Sequence, residues 1–342
     1  TKLEFQKSEI KKFPKVSILI PARNEEENIE ACIKSAAAQS YNNFEIIILD
    51  DNSTDKTNEI AKKYIRENIN LINGEKLPAG WLGKNWACRQ LAKNSNGDLL
   101  LFIDADVIMR KNTVEAAVNL FIENKVQMLS VFPKQINNSF GTELIVPLLN
   151  WLLLSFLPLR KVLNSSRESF AAAIGQFILI DKQAYEKIGG HDFVKNKVVE
   201  DLEIARELKR NNFKIMTVLG SNFIHCKMYE DFKSAVNGFS KNFYLGFNIK
   251  PLTFSFLLTF IITIFLLPYF LVFFDERYFV NIILLIIGRY FVAELSGQKK
   301  IINILLHPFQ MFFLFIIGLN SLLLTENNKI EWKKRKIELK KL

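Results

Sequence analysis

The chain has 342 residues, 49% of them hydrophobic and 30 of them phenylalanine, with a formal net charge of +10. That length allows one large domain and further structure beside it. The positive balance comes without a recognised basic and aromatic module for nucleic acid, so an anionic lipid surface is the better-matched partner. Cys32, Cys88 and Cys226 form no zinc-ligand spacing, and three scattered cysteines make no disulfide framework, which fits a reducing, cytosolic setting.

After a basic lead, residues 1–14, that starts without a methionine or signal-like segment and leaves an upstream anchor open, "KVSILIPARNEEENIEACIKSAAAQ" predicts a strand from Val16 to Ile20 closed by Pro21. A helix follows, with Asn24 as N-cap, Glu25, Glu26 and Glu27 in its first turn, and Ile29, Ile33 and Ala36 or Ala37 on its apolar face. "FEIIILDDNSTDKTNEIAKKYI" repeats the plan: a strand Glu45 to Leu49, a polar turn Asp50 to Thr54, and a helix with Ile60, Ala61, Tyr64 and Ile65 facing inward. A third strand near Leu71, a helix around Lys84 to Asn94 and a strand Leu99 to Ile103 come next. This alternation predicts an α/β domain with a mainly parallel sheet flanked by helices on both faces.

Ligands in such sheets sit beyond the carboxyl ends of the strands, where Pro21 to Glu25, Asp50 to Thr54 and Asp104 to Asp106 would share one rim. "PARNEE" has no glycine, so the dinucleotide fingerprint is missing and hydride transfer is disfavoured. "DLLLFIDADVI" presents Asp104 and Asp106 on one side of a strand end, because residues two apart share a face. Two carboxylates held together suit a hard divalent cation, Mg²⁺ or Mn²⁺; alone, they read equally as turn or capping residues. In "LDDNSTD", Asn52, Ser53, Thr54 and Asp55 suit a capped turn, yet adjacent Asp50 and Asp51 exceed what capping needs. Lys84 follows a glycine-rich turn at a helix start, where it would approach phosphate or simply be solvated. In "VVEDLEIARELKRNNF", Glu200 and Asp201 open a helix whose dipole alone would favour them, with Leu202, Ala205 and Leu208 on the buried side. His225, after a strand Lys214 to Val218, reads as a buried, satisfied histidine or as a ligand. Gly190 and His191 suggest a flexible loop framing an acceptor, and Gln176 a residue facing the sugar.

Beyond residue 250 the composition changes. Pro251 to Phe274 and Asn303 to Leu324 run 24 and 22 residues without a charge, enough to cross a hydrocarbon core. Phe279 to Ala293 is shorter, and the sequence suggests a re-entrant or interfacial segment there. Leu144 to Leu159, 16 residues interrupted by Pro147 and Pro158, suits an interfacial helix or a buried core helix. Residues 228–250 mix lysine with aromatics, as headgroup-layer segments do. The basic tail, residues 325–342, favours the cytoplasmic side; a catalytic domain on that side then requires an even number of crossings.

"VSILIPARNEEENI", "IIILDDNSTDKT", "LLLFIDADV" and "VVEDLEIARELKRNNFKI", in this order, resemble the motifs of the family-2 inverting glycosyltransferases of GT-A fold, over residues 15–227. "LPAGWLGKNWACRQLA" and "IGQFILIDKQAYEKIGGHDFV" resemble the branch that glycosylates membrane lipids such as carotenoids and hopanoid-related compounds. The resemblance implies a GT-A nucleotide-diphospho-sugar transferase domain followed by two or three transmembrane helices within residues 251–324. It implies a nucleotide-sugar donor, for which a UDP-sugar is expected, and a lipid acceptor, at a cell membrane with the catalytic domain facing the cytoplasm. By the same resemblance, Asp201 is the base and Glu200 positions the acceptor or supports the loop. Pro21, Ala22, Arg23, Glu25, Asp50, Asp51, Lys84 and Asp104 bind the donor. Asp104, Asp106 and His225 hold the metal, while Gln176, Gly190 and His191 meet the acceptor. Arg23 departs from the tyrosine often found at its place. A polysaccharide synthase is a rival, although no Q-x-x-R-W element follows Asp201. A polyprenyl-phosphate sugar transferase, a nucleotidyltransferase and a catalytically silent membrane module complete the alternatives.

Overall fold

A computed structural model describes residues 2–4, 13–327, 329, 331–332 and 335–336. Most of the basic lead and of the basic tail lies outside the described residues. In chain order the principal elements are β1 (Val16–Ala22), α1 (Ile29–Ala37), β2 (Phe44–Asp50), α2 (Thr57–Lys62), β3 (Ile69–Asn73), α3 (Gly83–Lys93), β4 (Leu99–Ile103) and β5 (Val107–Met109). Then come α4 (Thr113–Glu123), β6 (Met128–Phe132), β7 (Lys134–Gln135), α5 (Phe140–Ile145), α6 (Pro147–Phe156), α7 (Leu159–Asn164), β8 (Phe177–Asp181), α8 (Lys182–Lys187), α9 (Gly190–Phe193), α10 (Glu200–Arg210), β9 (Ile215–Leu219) and β10 (Ile224–Cys226). The last helices are α11 (Phe232–Phe247), α12 (Pro251–Leu266), α13 (Pro268–Leu271), α14 (Tyr278–Ser296), α15 (Lys300–Leu305) and α16 (His307–Glu326). They group into two compact units, Thr1–Lys134 with Leu159–Cys226, and Gln135–Pro158 with Lys227–Leu342.

The first unit is built on a seven-stranded sheet in the order β3-β2-β1-β4-β8-β6-β9. β1 to β4 run parallel, as do β6 and β9, while β8 is antiparallel to both of its neighbours. Val16, Ile18, Leu19 and Ile20 are fully buried, as expected when both faces of a central strand are covered. Ala22 pairs with Asp50 and Leu19 with Phe102, so the ends of β1, β2 and β4 meet at one rim. The loops after these three strands are therefore neighbours, although far apart in sequence.

Two local expectations change. α1 begins at Ile29, not after Asn24. Asn24 takes a left-handed φ of 52° and its Oδ1 accepts from Thr54 N at 2.8 Å, while Glu25 N donates to Thr57 Oγ1 at 2.7 Å. The side chain meant to cap a helix instead ties the loop after β1 to the loop after β2. α2 stops at Lys62, so Ile65 is exposed and Tyr64 turns outward to donate to Glu30 at 2.6 Å.

The second unit is helical. Ile145, Leu148, Trp151, Ala235, Ile261, Met311, Leu314 and Ile317 form its main core. Leu144 to Leu159 divides into α5 and α6, with Pro147 starting the second; its first half is buried, as a core helix, whereas Phe156 is exposed. Residues 232–247 form α11, closed at its start by an Asp231–Ser234 capping box. Among the described residues, three helices are long and apolar enough to cross a membrane: Pro251–Leu271, Tyr278–Ser296 and His307–Glu326. The middle segment thus extends past the stretch read from sequence, giving 19 residues of spanning length. Gly318 lets α16 approach α12, since a Cβ there would fall 2.6 Å from Leu258 Cδ2.

Candidate active site

Asp104 follows the last residue of β4, and Lys84 sits in the first turn of α3. Lys84 Nζ lies 2.8 Å from Asp104 Oδ1 and 3.1 Å from Glu200 Oε1, so one ammonium joins the strand end to the start of α10. Burial opposes charge on Lys84, but the two carboxylates outweigh it and hold the ammonium well above its usual range. Next to Glu200, Asp201 accepts from Gly175 N through Oδ2 and from Leu202 N through Oδ1, both at 2.7 Å. Two backbone donors fix the carboxylate plane. Burial, then the neighbouring Glu200, pushes Asp201 up to about 7 against the pull of Lys84 and of these hydrogen bonds.

Gly175, which the sequence reading passed over, makes this packing possible. A Cβ there would lie 2.7 Å from Lys84 Nζ and 3.6 Å from both Asp201 Oδ2 and Glu200 Oε1. Lys84, Phe102, Tyr185, His191, Glu200 and Asp201 share the wall of a cavity of ≈ 20 Å³, enough for a water molecule.

Asp106 lies two residues beyond Asp104 and within reach of its charge. Burial, then Asp104 and Glu25, raises its carboxyl to about 7, and the Cys226 thiol donates to it. Its Oδ1 is buried and has no hydrogen-bond partner. Among the described residues no group of three or more His, Cys, Asp or Glu side chains is set to hold a metal ion. Asp104 and Asp106 still fit a hard cation of the kind that takes one or two carboxylates and completes its shell with water and substrate phosphates. The orphaned Oδ1 of Asp106 is the acceptor such an ion would satisfy.

His225 is not brought to this pair. Strand alternation along β10 sends Cys226 toward Asp106, whereas His225, paired with Ile108 of β5, feels Lys134 and Arg110. Burial and these cations lower its affinity for a proton. Gln176 is 2% exposed and donates from Nε2 to Cys226 Sγ at 2.7 Å, which places its amide against the thiol that bonds Asp106. Gly190 belongs to a short helix, not to a flexible loop: a Cβ would fall 2.4 Å from the Tyr185 ring. His191 Nδ1 lies 2.8 Å from Tyr185 Oη, and burial lowers the ring to about 3, which keeps it neutral.

The loops after β1 and β2 are joined by Arg23. Its Nη1 donates to the Asp51 carbonyl and, at 3.3 Å, to the Asn52 carbonyl, and lies 3.8 Å from Asp51 Oδ2. Pro21 and Ala22 end β1 beside this contact, and Asp51 N donates to Ala22 O at 2.8 Å. Asp50 spends both oxygens on the turn, accepting from Ser53 N and Asn58 Nδ2. Of the adjacent aspartates, Asp50 therefore matches the turn reading.

Comparison with known proteins agrees with this geometry. The family model described as "Glycosyl transferase family 2" matches residues 17–189. The 4,4'-diaponeurosporenoate glycosyltransferases of Staphylococcus haemolyticus (strain JCSC1435) and Staphylococcus aureus (strain USA300) are each 27% identical, over 245 and 234 residues. Each match covers 68% of this chain and 61% of the relative's length. A mannosyltransferase from Pyrobaculum calidifontis, solved with GDP-Man and Mn²⁺, shares the fold with a TM-score of 0.52 at 16% identity, covering 91% of this chain and 88% of its own. A model matching just over half of the chain, together with the GT-A arrangement of its sheet and strand-end carboxylates, shows that the chain belongs to glycosyl transferase family 2.

Proposed function

We infer that this protein transfers one sugar from a nucleoside diphosphate donor to a lipophilic acceptor, with inversion, assisted by a divalent cation. The observation that carries the reading is Asp201: a carboxylate raised to about 7, held by two backbone donors, beside the Lys84–Asp104 contact. A general base works best when its pKa lies near the operating pH. In the transfer, Asp201 takes the proton of an acceptor hydroxyl while that oxygen bonds to the anomeric carbon. The bond from that carbon to the donor diphosphate breaks, and its electron pair leaves with the diphosphate. Asp51 and Arg23 are the groups for the nucleoside, and Lys84 is the cation within reach of the phosphates. Asp104 and Asp106 would hold Mg²⁺ or Mn²⁺, which when bound neutralises charge on the departing diphosphate.

The names of the Staphylococcus relatives support a carotenoid-type acceptor, and the GDP-Man bound in the Pyrobaculum calidifontis mannosyltransferase supports a nucleotide sugar as donor. Three helices of spanning length support membrane attachment. The basic tail supports a cytoplasmic catalytic unit, which requires that one of the three helices not cross completely. The division read from the sequence, transferase 15–227, interfacial segment 228–250 and membrane helices 251–324, is proposed with one change: residues 135–158 group with the helical unit.

The test is incubation of purified protein with a panel of nucleotide sugars, Mg²⁺ or Mn²⁺, and extracted lipids, followed by mass identification of a glycosylated lipid. Release of nucleoside diphosphate coupled to a lipid gaining one hexose supports the reading; a polymer, or pyrophosphate release, refutes it. A polyprenyl-phosphate or a carboxylate acceptor needs no strong base, so substantial activity in Asp201→Asn would favour one of these over a hydroxyl acceptor.

A further inference from the structure

The helical unit contains a buried cation with a donor that its own side chains leave unfilled. Arg289, in α14, is 1% exposed. Its Nε donates to the Asn303 carbonyl at 3.3 Å, and its Nη2 to Asn303 Oδ1 at 2.6 Å and Gln310 Oε1 at 2.9 Å. Gln310 is itself fixed, donating from Nε2 to the Glu143 carbonyl at 2.9 Å and to Asn303 Oδ1 at 3.0 Å. One edge of the guanidinium is thus gripped, while Nη1 is buried with no hydrogen-bond partner. His307, also 1% exposed, has a buried Nδ1 without a partner and lies within electrostatic reach of Arg289.

Among the described residues, the one carboxylate within reach of Arg289 is shared. Glu143 is the carboxylate whose charge reaches Arg289, yet its Oε1 is engaged by Lys299 at 2.7 Å. Lys299 is more than half exposed whereas Glu143 is buried, so this carboxylate is shared between a surface ammonium and the buried guanidinium, where an intramembrane arginine is expected to have a close partner. Arg289 Nη1, and His307 Nδ1 in the tautomer that carries its proton there, are two buried donors without partners on electrostatically coupled side chains, a pair complementary to an oxyanion.

We propose that Arg289 Nη1 and His307 Nδ1 form a binding site for a single oxyanion, the carboxylate or phosphate head of a membrane lipophile. Arg289 lies on a helix long and apolar enough to span a bilayer, so an anion reaching it would arrive on an apolar body. The site is separate from the strand-end carboxylates, and its occupancy is measurable without a sugar donor. It therefore stands or falls independently of the glycosyl-transfer reading.

The full chain in phosphatidylcholine nanodiscs provides the test. Trp151, whose ring centroid is 5.8 Å from that of His307, reports occupancy through quenching by brominated lipophiles. The probes are dibromostearic acid, the matching fatty alcohol and a dibrominated phosphatidic acid, with inorganic phosphate as soluble competitor. Saturable quenching by the acid or the phosphatidic acid is expected at about tenfold lower concentration than by the alcohol, as a charge-assisted contact requires. The signal should disappear in Trp151→Phe, and Arg289→Gln should lose the preference for the charged head. Displacement by inorganic phosphate would assign the oxyanion to a soluble source, and resistance to it a lipid head. Equal quenching by acid and alcohol in the unaltered chain overturns the proposal whether or not the glutamine variant folds. Undiminished preference in a folded Arg289→Gln overturns it as well.

Discussion

Replacing Asp201 with asparagine separates chemistry from folding at a single atom. Loss of a general base lowers the rate by about 10²- to 10⁴-fold, or about 3–5 kcal/mol in barrier. Because the base acts only when deprotonated, the unaltered enzyme should gain activity as pH rises and level off above about 7, following the raised carboxyl. The stability effect has the opposite sign. With a native pKa of about 7 against 3.8 for the free group, the folded state holds the proton longer. Its stabilising contribution is therefore complete below 3.8 and is lost as pH climbs to about 7, by up to about 4 kcal/mol. Asparagine escapes that loss but presents an NH₂ where one of two backbone donors needs an acceptor, at a cost of about 1–3 kcal/mol at every pH. The variant should thus melt below the parent at pH 4 and gain on it steadily toward pH 8, while remaining inactive with a hydroxyl acceptor. Initial rates of nucleoside diphosphate release and melting temperatures across pH 4–9 provide the measurement. Activity within tenfold of the parent, or a parent profile flat through pH 7, would refute the assignment of Asp201 as base.

Lys84→Met removes the only cation bonded to both Asp104 and Glu200 among the described residues, so kcat/KM for the donor should fall about 10- to 100-fold, read from donor titrations. Gly175→Ala sets a methyl 2.7 Å from Lys84 Nζ, the far end of a flexible chain; the protein should fold with a nearly unchanged melting temperature and lose donor affinity as the ammonium is displaced. Asp106→Asn removes a charge from the carboxylate with the orphaned oxygen, so Mn²⁺ affinity measured by paramagnetic resonance with donor present should drop at least about tenfold. Cys226→Ser keeps a donor toward Asp106 and should preserve Mn²⁺ affinity better than Cys226→Ala, with equal losses in both counting against the thiol as an orienting group.

Five of the seven strands were legible because they are mostly apolar runs, whereas β6 and the antiparallel β8 were not read from the sequence. Leu99–Ile103 has no polar residue to make its assignment ambiguous, and four parallel strands follow from the helices between them. The strand-end positions of Asp51, Asp104 and Asp106 followed from that order alone. Asn24 was misread for a physical reason: a residue favoured at helix caps is equally suited to a left-handed turn. Only contact with Thr54, thirty positions away, selects between the two.

What the sequence determined by itself is therefore a set of local preferences: several of the runs that become strands, two of the three helices long and apolar enough to span a bilayer, and the carboxylates that terminate strands. Tertiary structure alone decided which groups meet. His225 and Cys226 are adjacent in sequence, yet pairing with β5 turns the thiol toward Asp106 and the imidazole toward Arg110 and Lys134. Lys84, Asp104, Gly175 and Asp201 come from four separate segments, and the raised carboxyl exists only once their packing excludes water. Local propensity is set by each residue and its near neighbours; desolvation and charge coupling belong to the assembled fold, because both depend on distances that chain order does not specify.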